Sequence, residues 1–538
     1  MKYYGELPVV AYFCMEFGLH PSLKTYAGGL GVLAGDYLKG VKDYGYPIVG
    51  IGIKWKQGYT DQYINGDGWP YDLYKDYKYD FLKDTGVNVK VKIRNKDVLC
   101  KIWKVDCFGN APLFLLDTDL PENEDRWITE KLYHGSGDDR IAQEIVLGVG
   151  GVRALRALGI DVDLYHFNEG HAVFAGLELI REKMSRGASF EEVLAESRKQ
   201  IVFTTHTPVI EGNESHPIDR LMYMGANNGI TREEMIKIGG EPFNMTVAAL
   251  RLSHISNAVS QLHCKISNEM WKHVDNRSKI IGITNAIHLP TWVDSEIIKA
   301  AEEDRDIWSI HMKNKIELIE FIRDKAGVKL EEESLLIGFS RRAATYKRGD
   351  LIFRDENIIG PLLEKGKLQI VLSGKAHPQD NGGKKIIADI VKISKKYPDR
   401  IVYLENYDIT IAKKLVRGCD VWLNNPRRPK EASGTSGMKA AMNGVLNLSI
   451  LDGWWPEACK HHVNGWQFGD GFQGANEQET DKHDLEALYQ VLLEKVIPTY
   501  YNNRNKWIKM MRNSILSTKD EFSIERMLKD YYNKMYIV

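Results

Sequence analysis

Apolar residues recur along this chain in two alternating rhythms. Val9–Phe13 is a short unbroken apolar run. Leu30, Leu33, Ala34, Tyr37, Leu38 and Val41 then recur at three- and four-residue steps, which places them on one face of a helix. Gly45-Tyr46-Pro47 stops that stripe, and Ile48–Ile53 reads as the next strand. The segment predicts a strand–helix–strand unit whose turn is Gly28-Gly29-Leu30-Gly31. The second half repeats the rhythm. Leu335–Phe339, Leu368–Leu372, Ile401–Leu404, Val421–Leu423 and Val445–Ile450 are short apolar runs, separated by helical stretches such as Lys384–Ile393 and Ile409–Arg417. Strands spaced by helices imply parallel sheets covered on both faces. The expected fold is therefore α/β with two domains, residues 1–284 and 285–538, joined within Asn276–Pro290. Asp520–Met535 is amphipathic and helical in pattern, and periodicity does not say what it packs on.

Composition narrows the class. Of 538 residues, 72 are Lys or Arg and 73 are Asp or Glu, a net charge of −1. That balance excludes a dedicated nucleic-acid or membrane-surface binder, which needs a basic excess. An aromatic content of 10% excludes a disordered chain. The six cysteines are scattered without a C-x-x-C pair, which reads as free thiols in a reducing compartment. The start lacks the basic-then-apolar order of a signal peptide. The most apolar window, Ile145–Ile160, is interrupted by Arg153 and Arg156 and does not read as a membrane span. A cytoplasmic protein is expected.

Four stretches carry candidate chemistry. Gly28–Gly31 opens a helix, where unpaired N–H groups and a partial positive charge suit a phosphate; a plain tight turn is the other reading. Arg341, Arg342, Lys347 and Arg348 leave the end of the strand Leu335–Phe339, where ligands of parallel sheets gather; a solvated basic loop is the alternative. Glu431-Ala432-Ser433-Gly434-Thr435-Ser436-Gly437-Met438-Lys439 is a small-residue loop, with Lys439 expected to begin a helix. That lysine reads as a Schiff-base or phosphate lysine, or as an exposed lysine on a flexible loop. His166, His171 and His206 each follow a strand-like run and are expected to face the crevice. His166 and His171 are five apart and miss the helical metal spacing, so no metal site is expected and polar contacts to a hydroxyl-rich ligand fit better. Trp454 and Trp455 offer sugar-stacking faces, although core packing is the commoner role.

Taken together, these motifs resemble the α-glucan phosphorylases (glycogen, starch or maltodextrin phosphorylase), and the resemblance is to the short type. It covers essentially the whole chain and is most specific from Glu431 through Lys439 to Met442-Asn443-Gly444 and Leu451-Asp452-Gly453. It implies a GT-B-type fold of two facing Rossmann-like domains with an interdomain active-site cleft, and a C-terminal helix crossing back to the first domain. It implies pyridoxal 5′-phosphate held as a Schiff base by Lys439, with Thr435, Arg341, Tyr346 and Trp292 around the cofactor. Arg342 and Lys347 would bind substrate phosphate. Gly28 and Gly29 would cover that phosphate. The backbone carbonyl of His206 would face the anomeric carbon. Asn285, Glu169, Glu431, Ala432, Ser433 and Gly434 would contact the sugar. Two departures stand out: Ala286 replaces the usual glycine after the asparagine, and Ser436-Gly437 stands where long-type enzymes have Gly-Asn. The chain is much shorter than the long type, so no allosteric control is carried over, and a homo-oligomer is left open.

The reaction so implied is reversible, retaining phosphorolysis: terminal α-1,4-linked glucose plus orthophosphate gives glucose 1-phosphate and a shortened α-glucan or maltodextrin. Orthophosphate, rather than a pair of carboxylates, would serve as acid and nucleophile. The rival readings are a nucleotide-sugar-dependent glucan synthase and a catalytically inactive glucan-binding protein.

Overall fold

The computed structural model describes residues 7–537. The chain divides into two compact units. The first holds the residues through Tyr59, Tyr74–Thr284 and the tail from Met527 on; the second holds Thr60–Leu73 and Asn285–Arg526. Residues 60–73, expected with the first domain, therefore belong to the second. The reason is visible in their hydrogen bonds. Gln62 exchanges side-chain bonds with the backbone of Ala376, its Nε2 donating at 3.0 Å and its Oε1 accepting at 2.9 Å, and Lys384 Nζ meets Asp72 Oδ2 at 2.6 Å.

Among the described residues the first unit carries a nine-stranded sheet. In spatial order its strands are Lys279–Gly282, Ile255–Ala258, Ile201–Thr204, Leu164–Asn168, Val10–Phe13, Ile48–Ile53, Leu113–Asp117, Lys96–Val105 and Lys83–Ile93. All run parallel up to Leu113–Asp117, and the last two extend the sheet as an antiparallel edge. The helix expected from the Leu30–Val41 stripe spans Gly29–Tyr44 and ends on Gly45 in the left-handed conformation. Its Gly35 is required: a Cβ there would stand 2.2 Å from the carbonyl oxygen of Gly18. The apolar window at Ile145–Ile160 is helical through Ala157 and buried over most of its length up to Leu155, and no helix among the described residues is long and apolar enough to cross a membrane.

The second unit carries a six-stranded parallel sheet, ordered Ile401–Leu404, Leu368–Ser373, Leu335–Ser340, Val421–Asn424, Leu446–Ile450, Gly465–Phe468. Numbered along the chain, that order is third, second, first, fourth, fifth, sixth, the doubly wound Rossmann arrangement. The strand order reverses between Leu335–Ser340 and Val421–Asn424, so the loops leaving those two strands diverge and open a crevice at their carboxyl ends. Every residue of both strands is buried, which accounts for the apolar runs Leu335–Phe339 and Val421–Leu423 within them. Helices Asn381–Lys396 and Ile409–Gly418 fall where their periodicity places them. The tail folds as Ile524–Tyr531 and a wider turn, Tyr532–Tyr536.

Candidate active site

The two loops at the switch point of the second sheet carry the basic segment and the small-residue loop. Arg341 immediately follows strand Leu335–Ser340 and is 8% exposed. Its Nη2 lies 2.7 Å from Glu431 Oε2, and Lys347 Nζ lies 3.2 Å from the same oxygen. Burial alone would push the Glu431 carboxyl up; the Arg341 guanidinium and then the Lys347 ammonium outweigh it and hold the group below the usual carboxylate range. Arg341, Arg342 and Lys347 together line a small cavity with Ala343, Ser373 and Gly374. Arg342 is exposed, and Tyr346 lies 5.2 Å beneath the Lys347 ammonium.

Arg348 does not join them. It is fully buried, bonded to Asp481 and Asp484 and to the carbonyls of Asn425 and Pro426. Its charge is consumed in holding the loop after Val421–Asn424, so Arg348 is not offered to a ligand.

The loop from Glu431 to Gly434 is fastened to the turn at Asp452. Asp452 Oδ2 accepts the N–H of Glu431 at 3.0 Å, Oδ1 accepts that of Gly453 at 2.8 Å, and the N–H of Trp454 donates to the Ser433 carbonyl at 2.9 Å. Gly453 is obligatory at this contact: its φ is +59° and a Cβ would lie 2.1 Å from the Ser433 oxygen. Trp454 and Trp455 are buried, the core role rather than an exposed sugar platform. Burial, then the Glu431 charge, pushes the Asp452 carboxyl from 3.8 up to about 7. A carboxyl raised on folding stabilises the fold fully below its unfolded pKa and loses that contribution as pH rises through the folded one. Wild-type stability is therefore expected to fall between about pH 4 and about pH 7 relative to Asp452→Asn, which has no proton to lose there. Urea unfolding of both proteins at either end of that window measures the difference; parallel pH dependences would contradict the assignment.

Lys439 does not begin its helix. The helix is Thr435–Met442, with Gly434 in the left-handed conformation as its cap, so Lys439 lies one turn inside. It is 6% exposed, and Nζ stands 3.7 Å from the centroid of the Trp292 ring. Asn443 Nδ2 ties the pair together, donating to the carbonyls of Trp292 at 3.2 Å and Lys439 at 2.8 Å. The lysine is thus held by packing rather than left on a flexible loop. Asn285 is buried, and its Oδ1 has no hydrogen-bond partner among the described residues; the same holds for Ser433 Oγ and Arg341 Nη1. Buried polar atoms normally have partners, and such atoms mark where a ligand would bond.

The first unit gathers a second set of residues at the ends of its central strands. Glu16, three residues past Val10–Phe13, escaped the sequence reading. Its Oε2 accepts the N–H groups of Ala27 at 2.6 Å and Gly28 at 3.0 Å, and its Oε1 accepts the hydroxyl of Tyr133 at 2.8 Å. A carboxylate of the chain itself thus sits at the glycine turn, leaving the N–H groups of Gly29 and its successors for any anion. A lone acid 12 residues before the turn carries no local signal for this.

Glu169, read as a sugar contact, has its carboxylate engaged otherwise. Oε2 accepts the N–H of His206 at 2.8 Å and the hydroxyl of Thr207 at 3.1 Å, while Oε1 accepts the N–H of Gly170 at 3.1 Å. Its φ of +75°, unusual outside glycine, is held by these bonds. Burial raises its pKa despite them. The His206 ring bonds Asn168 Oδ1 through Nε2 at 2.6 Å. His166 does not face a crevice. It lies within its strand, fully buried, with Nδ1 2.6 Å from the Tyr536 hydroxyl and Nε2 2.7 Å from Thr204 Oγ1.

Comparison with known proteins follows the same lines. Residues 293–484 match the carbohydrate phosphorylase family. The chain is 40% identical to a maltodextrin phosphorylase of Thermococcus litoralis, over 99% of this chain and 70% of that protein. It is 38% identical to a glycogen phosphorylase of Aquifex aeolicus, over 98% of this chain and 86% of that one. An uncharacterized protein of Methanocaldococcus jannaschii is also 38% identical, over 98% of this chain and 99% of its own.

Proposed function

This chain belongs to the carbohydrate phosphorylase family, and on that premise we propose that it splits terminal α-1,4-linked glucose from an α-glucan or maltodextrin with orthophosphate, releasing glucose 1-phosphate with retention. The observation that carries this reading is the meeting of Arg341, Lys347 and Glu431 at the switch point of the second sheet, Glu431 lying on the loop that leads into the helix burying Lys439 against Trp292. Such a crevice suits a phosphate ligand, because guanidinium and ammonium groups match its charge and geometry.

In this reading Lys439 holds pyridoxal 5′-phosphate. The residues present fit that group: a buried amine on an aromatic face, and Arg341 Nη1 and Ser433 Oγ with bonds to give. Arg341, Tyr346, Thr435 and Trp292 would surround it. When bound, the cofactor supplies a phosphate able to exchange a proton with orthophosphate. Arg342 and Lys347 bind orthophosphate and offset the repulsion between two close anions. In the glycine turn the Gly28 N–H is held by Glu16, so Gly29 is the member whose helix-start N–H suits an anion. Glu431, Asn285 and the backbone of Ala432, Ser433 and Gly434 orient the glucose. The His206 carbonyl oxygen stabilises positive charge developing at the anomeric carbon.

Glu169 then acts through His206, as a positioning residue. Glu169→Gln replaces one acceptor oxygen by a donor and loosens the hold on the His206 N–H, the Thr207 hydroxyl and the Gly170 N–H. A displacement of that kind is expected to lower kcat about 10- to 100-fold with a smaller change in KM for glucan. Steady-state kinetics check this, and an unchanged kcat would show that the bonds are merely structural.

The function itself is tested by glucose 1-phosphate release from a maltodextrin mixture, with and without orthophosphate, before and after the cofactor is stripped and restored. Release that needs both is the expected result. No release from cofactor-loaded protein favours a binding-only protein, and failure to take up cofactor favours a nucleotide-sugar transferase.

A further inference from the structure

A further group of ionisable side chains lies within the first unit, close to Glu169 and His206. Glu144 comes from helix Gly137–Ile145, His171 from the turn Gly170–Ala172, and Glu214 and His216 from the stretch around strand Ser215–His216. The donor atoms of Glu144, His171 and Glu214 all lie within 4.8 Å of one another. His216 Nε2 stands 3.6 Å from Glu144 Oε2 and 3.5 Å from Glu214 Oε1. The Glu144 side chain is 0% exposed. Both its oxygens, His171 Nδ1 and His216 Nε2 are buried without a hydrogen-bond partner among the described residues. Three well-separated parts of the chain thus converge on one point with unused lone pairs.

Charge argues the same way. Arg140 faces the group, its Nε 3.3 Å from Glu214 Oε1, and neutralises one of the two carboxylates. The same guanidinium faces the other, Glu144, at longer range, so one cation serves two carboxylates. Burial, then the Glu214 charge, pushes the Glu144 carboxyl well above its ordinary range. His171 Nδ1 and His216 Nε2 each bring a buried ring nitrogen that has no hydrogen-bond partner among the described residues. Such a pocket holds either a proton or a cation.

We propose that Glu144, His171, Glu214 and His216 form a binding site for one divalent transition-metal ion of the zinc or manganese kind. Two imidazole nitrogens and two carboxylate oxygens are the donors such ions take, whereas calcium and magnesium prefer all-oxygen sites and copper(I) prefers thiolate. Metal–ligand bonds of about 2.1 Å in a tetrahedron set neighbouring donors about 3.4 Å apart, close to the His216 separations. Arg140 would orient Glu214 from outside the ligand sphere. The ion would tie helix Gly137–Ile145 to the segment that runs from His206 to His216. Local spacing hides the site, because only Glu214 and His216 are near in sequence.

Cobalt(II) is a suitable probe, since its visible absorption reports coordination. The whole protein, cofactor in place, is stripped with chelator, titrated with cobalt(II) and then with zinc. The expected result is about one ion per chain with a tetrahedral cobalt spectrum, displacement by zinc, and a raised thermal midpoint. Glu144→Gln is expected to weaken binding at least about 10-fold while the metal-free midpoint stays the same or rises. Failure of the wild type to retain an ion overturns the proposal whatever the variants do. So does equal affinity in wild type, Glu144→Gln and His171→Gln, which would place the ion on the cofactor or on His461 and His462.

Discussion

Lys439→Ala is expected to abolish glucose 1-phosphate release, lowering turnover at least about 10⁴-fold, because the cofactor carries chemistry that no side chain replaces. The lysine is 6% exposed, and its ammonium stands 3.7 Å from the Trp292 ring, so the substitution also removes a desolvated cation–π contact. In the cofactor-free protein that contact accounts for about 2 kcal/mol, which a thermal unfolding scan can read. Lys439→Arg separates the two effects. Its guanidinium keeps a cation above Trp292 but is no primary amine, so stability is expected to return while bound pyridoxal phosphate and activity do not. Full turnover by Lys439→Ala without bound cofactor would end the proposed mechanism.

Arg341→Met should cost about 10²- to 10³-fold in kcat/KM, the usual loss when a charged donor is withdrawn from developing or bound anionic charge. It should also destabilise the protein by about 2–4 kcal/mol, since Glu431 is buried and would be left with Lys347 alone. Adding Glu431→Gln removes the stranded charge. The double variant is expected to recover most of the stability and none of the activity, so the two readouts part company. A double variant that regained turnover would mean that Arg341 serves only to neutralise Glu431.

Much of this arrangement is legible from the chain alone, for a physical reason. Strands buried on both faces must be apolar throughout, so Ile48–Ile53 and Ile401–Leu404 announce themselves to the residue. The cations after Leu335–Ser340 are legible because a ligand crevice must lie at a strand end. Lys439 is visible as a motif, but its place inside a helix is not, since Gly434 can start a helix only by adopting a left-handed conformation that sequence does not reveal. What escapes altogether depends on distant partners. Glu16 acquires its role from the N–H groups of Ala27 and Gly28, Glu169 from those of His206 and Gly170, and Arg348 is lost to Asp481 and Asp484 far along the chain. A charged residue reads the same in sequence whether it meets a ligand or a backbone amide.

The division of the chain bears on how such a protein can be inherited. The backbone passes from one unit to the other after Tyr59, after Leu73, after Thr284 and after Arg526. A gene broken at Thr284 would leave the first half without the tail whose Tyr536 hydroxyl meets His166, and the second without Thr60–Leu73, whose Gln62 clasps Ala376. Neither half could be shuffled into another gene and arrive whole. Recombination and gene fission should therefore spare this frame, and its lineages should diverge by substitution and loop insertion rather than by exchange of halves.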